Sequence, residues 1–212
     1  MHSYRLPSAL LLALLAACSA PQSDQTASGP TTRGVDSADA RPVEPMDTTS
    51  ASVANAQSDT LKAVRTRHLF SSPTAPDLFQ LVLRGDSLLS SEATFTITAA
   101  DGTVIFRETL SSADLEASMV YQMTKPGATK AEREAYVRRR MNEFFADKNF
   151  RKPAVGSTDI YQPGTVDRAV WDDLRRRPDA VGFSYLVGKE DGRRIAWSTL
   201  RKQVVRYGST GG

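Results

Sequence analysis

Thr94-Phe95-Thr96-Ile97-Thr98-Ala99-Ala100-Asp101-Gly102-Thr103-Val104 decides the fold. Phe95 and Ile97 alternate with threonines, the period of two that marks a strand with one buried face. Asp101-Gly102 predicts a type I′ hairpin turn, in which both central residues need positive φ. Val104 to Leu110 then returns as the partner strand. Upstream, Asp77 to Arg84 repeats the period, with Phe79, Leu81 and Leu83 on one side and Gln80, Val82 and Arg84 on the other. Gly85-Asp86 breaks that strand. Residues 61–72 fit either a helical turn or an edge strand, and Pro73 and Pro76 punctuate the chain between them and Asp77.

Downstream the period changes. Thr129 and Glu132 form a capping-box pair ahead of a helix predicted over Lys130 to Asp147. Val137, Met141, Phe144 and Phe145 fall on one face of it, and Arg138, Arg139 and Arg140 fan around the other side. A second helix is predicted from Val166 to Arg177, with Thr165 as cap and Asp167 at its positive end. Val170, Trp171 and Leu174 make its apolar stripe, Arg175-Arg176-Arg177 suit its negative end, and Pro178 stops it. Lys152 to Gly164, rich in Gly, Pro and Ser, reads as loop. Alternation resumes at Val181, Phe183, Tyr185 and Val187, then a turn at Glu190-Asp191-Gly192, then Ile195 and Trp197. Arg201-Lys202 turns the chain into a last strand, Gln203 to Tyr207. Gly208 to Gly212 is expected to fray. The pattern predicts an α+β domain over residues 61–207: one antiparallel sheet of six strands, ordered β-β-β-α-α-β-β-β, with two helices on one face.

The first sixty residues read differently. Leu6 to Ala17 is apolar apart from Pro7 and Ser8, follows a short leader with Arg5, and is too short to span a bilayer. It ends at Leu15-Ala16-Ala17-Cys18-Ser19, which resembles the lipobox of bacterial lipoproteins. The resemblance covers residues 1–19. It implies a signal peptide over residues 1–17, cleavage before Cys18, and acylation (palmitate among the chains) of the Cys18 thiol and of the new amino terminus. Two or three chains anchor durably where one does not. The alternative is an ordinary secretory signal with Cys18 incidental. The resemblance also implies a membrane partner through the Cys18 lipid. Ser19 leans the address toward the outer membrane, facing the periplasm or the exterior.

Residues 18–60 are expected to be a disordered tether. From Ser19 to Thr60 there is no Phe, Trp, Tyr, Leu or Ile, and two arginines stand against six acids. Such a chain cannot bury enough surface to offset the entropy of ordering. A coil of this length reaches roughly 35 Å. The charge reverses beyond it: residues 61–212 hold 24 Lys and Arg against 18 Asp and Glu.

Chemistry is thin. Cys18 is the single cysteine and His68 the single histidine beyond the leader, so a zinc site has no ligand set and no disulfide can form within the chain. His68 would have to be the base of any serine triad. Gly182 to Gly188-Lys189 has the wrong spacing for a phosphate loop, and Glu190 stands where Ser or Thr should be. Asp172-Asp173 and Glu190-Asp191 are carboxylate pairs, but adjacent helical residues diverge. Arg84-Gly85-Asp86 spells an adhesion tripeptide and is also ordinary turn chemistry. No cofactor or metal is expected. The basic clusters Arg138, Arg139, Arg140, Arg175, Arg176, Arg177, Arg193 and Arg194 make a candidate anion-binding surface for an envelope protein or an anionic glycan. Nucleic acid does not fit the address, and the oligomeric state is left open.

Leu83-Arg84-Gly85-Asp86-Ser87, the Asp101-Gly102 hairpin, Val181 to Gly188 and Gly192-Arg193-Arg194-Ile195-Ala196 together look like uncharacterised bacterial envelope lipoproteins. That resemblance implies no activity and brings no functional residues. The expectation is a membrane-anchored, non-enzymatic binding or scaffolding module. The alternative is a hydrolase of envelope polymers using the carboxylates or His68.

Overall fold

The computed structural model describes residues 58–210. The leader over residues 1–17, Cys18 and the tether up to residue 57 lie outside the described residues, as do Gly211 and Gly212. The domain is α+β. Eight strands form two antiparallel sheets of four, each a meander in chain order. The first sheet holds β1 (Thr60–His68), β2 (Asp77–Gly85), β3 (Ser91–Thr98) and β4 (Val104–Ser111). The second holds β5 (Phe150–Arg151), β6 (Gly182–Val187), β7 (Asp191–Ser198) and β8 (Gln203–Thr210). The single six-stranded sheet is thus corrected to two sheets. The count rises because residues 60–68 are the edge strand, not a helical turn, and because two residues at 150–151 pair with β6.

The Asp101-Gly102 hairpin forms with a different turn. Gly102 N–H donates to Ala99 O at 2.9 Å and Ala99 N–H to Thr103 O at 2.8 Å. Gly102 has φ +90°, while Lys202 is the sole non-glycine with positive φ among the described residues. Asp101 therefore stays at negative φ, which excludes type I′. The loop has the pattern of a three-residue turn closed by a glycine bulge. The Asp101 carboxylate accepts from Thr103 N–H at 2.9 Å, which fixes the turn and holds the Asp101 pKa below its ordinary value.

The first sheet has one dry face. β2 and β3 alternate buried and half-buried positions, and Leu81 lies opposite Phe95 and Phe79 opposite Ile97. These side chains meet Val137 and Met141 of α2 (Lys130–Glu143), Phe144 just past its end, and Phe183, Tyr185 and Ile195 of the second sheet in one cluster. Its rings pack edge-on: Phe183 lies 5.5 Å from Phe79 and 5.6 Å from Phe95. The second sheet is covered on both faces. Adjacent residues Ile195 and Ala196 point into different clusters. Ala196, Val205 and Tyr207 pack against Val170, Trp171 and Leu174 of α3 (Arg168–Arg176). The expected placement of both helices on one face is corrected accordingly: α2 and α3 lie on opposite faces of the second sheet.

Other boundaries shift for local reasons. A short helix α1 (Ser112–Glu116) and a 3-10 turn (Ala117–Gln122) follow β4, where the sequence pattern predicts no helix. Ser111 caps α1, with Asp114 completing the reciprocal pair. α2 ends at Glu143, short of Asp147. α3 starts at Arg168 with Asp167 at the cap position and no side-chain cap bond; the Thr165 hydroxyl donates instead to Gln162 O at 2.8 Å. The β6–β7 turn occupies residues 188–190, earlier than expected, with Gly188 at φ +64°. Gly208 to Thr210 do not fray: they pair with Arg194, Arg193 and Gly192.

Candidate functional site

Seven of the eight candidate anion-binding arginines have partners within the domain. On α2, Arg138 lies 3.8 Å from Glu134, and Arg139 donates to Gln122 Oε1 at 2.5 Å while covering the Tyr136 ring. At the end of α3, Arg175 donates to Ser157 O at 3.2 Å, Arg176 lies 3.9 Å from Asp173, and Arg177 lies 3.7 Å from Asp179. These pairs are mostly exposed and contribute little to stability. Because α2 and α3 cover opposite faces of the second sheet, the two triplets do not form one surface.

Arg193 and Arg194 serve the interior. Arg193 pairs with Glu108 across the seam between the sheets and with Asp191 at 2.7 Å. The Tyr185 hydroxyl also donates to Glu108, and burial pushes that phenol up. Desolvation lowers the Arg193 guanidinium, and the neighbouring Arg206 adds to the shift. Arg194 and Arg151 converge on Asp159 at 3.3 and 2.7 Å. Gly156 N–H donates to the same carboxylate at 2.6 Å. Burial opposes the Asp159 charge, yet the Arg151 and Gly156 hydrogen bonds and the Arg194 charge together hold its pKa below the ordinary range. This cluster pins the loop after β5 onto the second sheet. Tyr207 reinforces it by donating to Ala154 O at 2.8 Å beneath the Arg194 guanidinium.

Arg140 differs. It sits four residues after Tyr136 and four before Phe144, on the margin of the stripe that α2 buries. The expectation that all three arginines fan away from the core is corrected for this one. Its Nε is sealed from solvent without an acceptor, and its guanidinium makes no hydrogen bond or ion pair among the described residues. It lines a cleft of about 180 Å³ with Phe144 just past α2, Asn149, and Ser184, Tyr185 and Leu186 of β6. Asn149 is fixed by two bonds from Nδ2, to Glu143 O at 3.1 Å and Phe144 O at 2.9 Å. The periodicity of α2 could have singled out Arg140. Asn149 and β6 reach the cleft only through tertiary structure.

A second cleft of about 330 Å³ lies at the other end of α2, between its first turns and residues 119–128. Met119, Met123 and Ala128 give it apolar walls, with Gln122, Tyr136 and Arg139 at its polar side. The segment leading into its far wall is tied to α2 twice: Arg133 grips Glu116 at the end of α1 through two guanidinium nitrogens, and Ser118 of the 3-10 turn shares a 2.8 Å hydrogen bond with Tyr136.

The other sequence candidates disperse. His68 stacks on Phe150 at 3.5 Å between ring centroids, and burial lowers its pKa against the pull of Asp147. Asp172 faces Arg168 at 3.0 Å, while Asp173 accepts from the Thr199 hydroxyl at 3.1 Å. Glu190 accepts from Tyr121, and Asp191 binds Arg193 and Arg206. Neither carboxylate pair converges on a common point. In the Arg84-Gly85-Asp86 stretch, Gly85 is buried opposite Ser91, and Arg84 donates to Ser58 O at 3.1 Å. Among the described residues, no group of three His, Cys, Asp or Glu could hold a metal ion, and no helix is long and apolar enough to cross a membrane. Searches against protein-family models, curated proteins and solved structures find no match to this chain.

Proposed function

We propose that the chain is a lipid-anchored module of the cell envelope that binds or scaffolds an envelope component. The observation that carries this reading is Leu15-Ala16-Ala17-Cys18-Ser19 at the end of a short apolar run, followed by forty-one residues without a large aliphatic or aromatic side chain save Met46 and three valines. The lipid on Cys18 supplies the membrane attachment. The tether gives the domain roughly 35 Å of reach. At the outer membrane, an anchored domain on such a tether meets proteins and anionic glycans within that radius. Its work is then binding, and the two clefts that flank α2 are among the concave surfaces available for it.

The test is fractionation of intact cells. Cys18→Ser should move the protein from the membrane pellet to the soluble fraction and remove the mass of the acyl chains from the mature amino terminus. Persistence of the variant in the membrane pellet would refute anchoring through Cys18. Crosslinking of the wild-type protein in intact cells then identifies what the domain contacts.

A further inference from the structure

The cleft between α2 and β6 combines three things seldom left idle together: an unpaired guanidinium, a strand edge without a strand partner and an immobilised amide. Arg140 supplies the first, with a buried Nε that has no acceptor. Because Nε is sealed, the part of the half-buried side chain that a ligand reaches is the pair of terminal nitrogens, which have no acceptor among the described residues either. Its fork of N–H groups matches a carboxylate in a bidentate arrangement. Arg140 is the cleft's only cationic lining residue, so a single negative charge is matched and a doubly charged phosphate is not.

The strand edge is the second feature. β5 pairs with β6 only at Gly182 and Phe183. From Ser184 onward, that side of β6 has no strand neighbour among the described residues. Ser184, Tyr185 and Leu186 all line the cleft. An open edge can take an extended segment through main-chain hydrogen bonds. The third feature is Asn149. Its Nδ2 is committed to the end of α2, which leaves Oδ1 as an acceptor for a ligand N–H. Phe144 and Tyr185 wall the site with rings, which lowers the local dielectric and strengthens a charge pair. At about 180 Å³ the cleft is smaller than a drug-sized pocket and suits one or two terminal residues.

We propose that this cleft binds the free C-terminal carboxylate of an extended peptide, with Arg140 holding the carboxylate and residues 184–186 pairing with the peptide backbone. This deepens the reading of the domain as a binding module and rests on it, but it makes no use of the Cys18 anchor.

The test uses the full chain in detergent, labelled with ¹⁵N, and two probes: N-acetyl-trialanine and its C-terminal amide. The acid should shift the Arg140 Nε–H resonance together with the amides of Ser184 to Leu186. The C-terminal amide should bind about ten- to a hundredfold more weakly, the loss expected of a charge-assisted pair. Arg140→Lys should weaken the acid and Arg140→Ala abolish its binding, with the fold intact, since Arg140 has no internal partner to lose. Arg138→Ala should bind as wild type. Three results would overturn the proposal. One is no movement of the Arg140 signal by either probe. Another is equal movement by acetate or phosphate with residues 184–186 silent, which makes the site a plain anion hole. The last is an Arg140 signal that moves when residues 19–57 are deleted, which makes the acidic tether the occupant. Failure of the Cys18→Ser fractionation would leave all of these readings untouched, so the two proposals fail separately.

Discussion

The ring of His68 lies face to face with Phe150 and edge-on to Phe79, whose centroid is 6.0 Å away. Burial disfavours the imidazolium, and Asp147 only partly offsets this, so the folded-state pKa lies below 6.5. The unfolded chain then binds more protons than the folded one just below that value. Stability is complete above pH 6.5 and falls as the pH drops toward the folded-state pKa. Thermal melts should therefore show a lower Tm at pH 5 than at pH 7, and His68→Phe, which keeps a ring in the stack, should reduce that difference. An unchanged slope in the variant would mean that other groups set it. That His68 is the single histidine beyond the leader was legible. Its aromatic neighbour eighty-two residues away was not. Gly182 is similar. A Cβ there would stand 2.3 Å from the Tyr207 hydroxyl as it reaches across to Ala154 O. A glycine inside an alternating strand signals close approach by something, but not by what.

Where an element's signal is local, it was readable. The capping box of α2 forms as expected: the Thr129 hydroxyl accepts from Glu132 N–H at 3.3 Å, and Glu132 accepts from Thr129 N–H at 2.7 Å. Thr129→Ala should cost about 1 kcal/mol, measurable as a lower urea midpoint with an unchanged slope. Glu132 also reports on the cap. Lys125 first, then the Thr129 backbone and side chain, hold its carboxyl down to about 2 from an ordinary 4.5. That stabilisation is present above pH 4.5 and fades as the pH falls toward 2. The side-chain carbon signal of Glu132 should accordingly titrate well below those of exposed glutamates, and Lys125→Ala should raise its midpoint. The elements that escaped the sequence are short or depend on a distant partner. α1 has five residues, too few to show a period, although Ser111 and Asp114 stand at capping-box spacing. β5 is two residues that become strand only because β6 lies alongside. Gly208 to Thr210 look unpackable, yet their backbone continues the ladder with β7. The Asp101-Gly102 turn was right in place and wrong in type, because a glycine at positive φ serves both the type I′ turn and the glycine bulge.

At the scale of the molecule, the alternation that revealed each strand says which side is buried but not which sheet the strand joins. Phe95 and Phe183 both read as inward-facing, and one sheet with one covered face satisfied both. What separates the sheets is that they face each other across shared rings. Phe183 lies 5.5 Å from Phe79 and 5.6 Å from Phe95 in the first sheet, and 5.9 and 5.7 Å from Phe144 and Phe145 just beyond α2. It is fully buried and is the ring through which both meanders and α2 meet. The adjacent seam, where Tyr185 and Arg193 of the second sheet share Glu108 of the first, adds a polar tie that depends on the same alignment. If the two sheets are one folding unit, loss of this ring must weaken both at once. Phe183→Ala removes a buried aromatic side chain and should cost about 3–5 kcal/mol, whereas Phe183→Leu, which keeps most of the volume, should cost markedly less. The tryptophans make the unit itself testable. Trp171 of α3 packs on the far face of the second sheet, while Trp197 of β7 packs against the shared cluster, so in a Trp197→Phe background the remaining fluorescence follows the second sheet, while far-ultraviolet circular dichroism follows all eight strands. In urea the two signals should trace one transition with one midpoint, in that background and, shifted downward, with Phe183→Ala added. A fluorescence midpoint that separates from the dichroism midpoint would mean that the sheets unfold independently, and the shared aromatic core would then be a contact between two units and not the core of one.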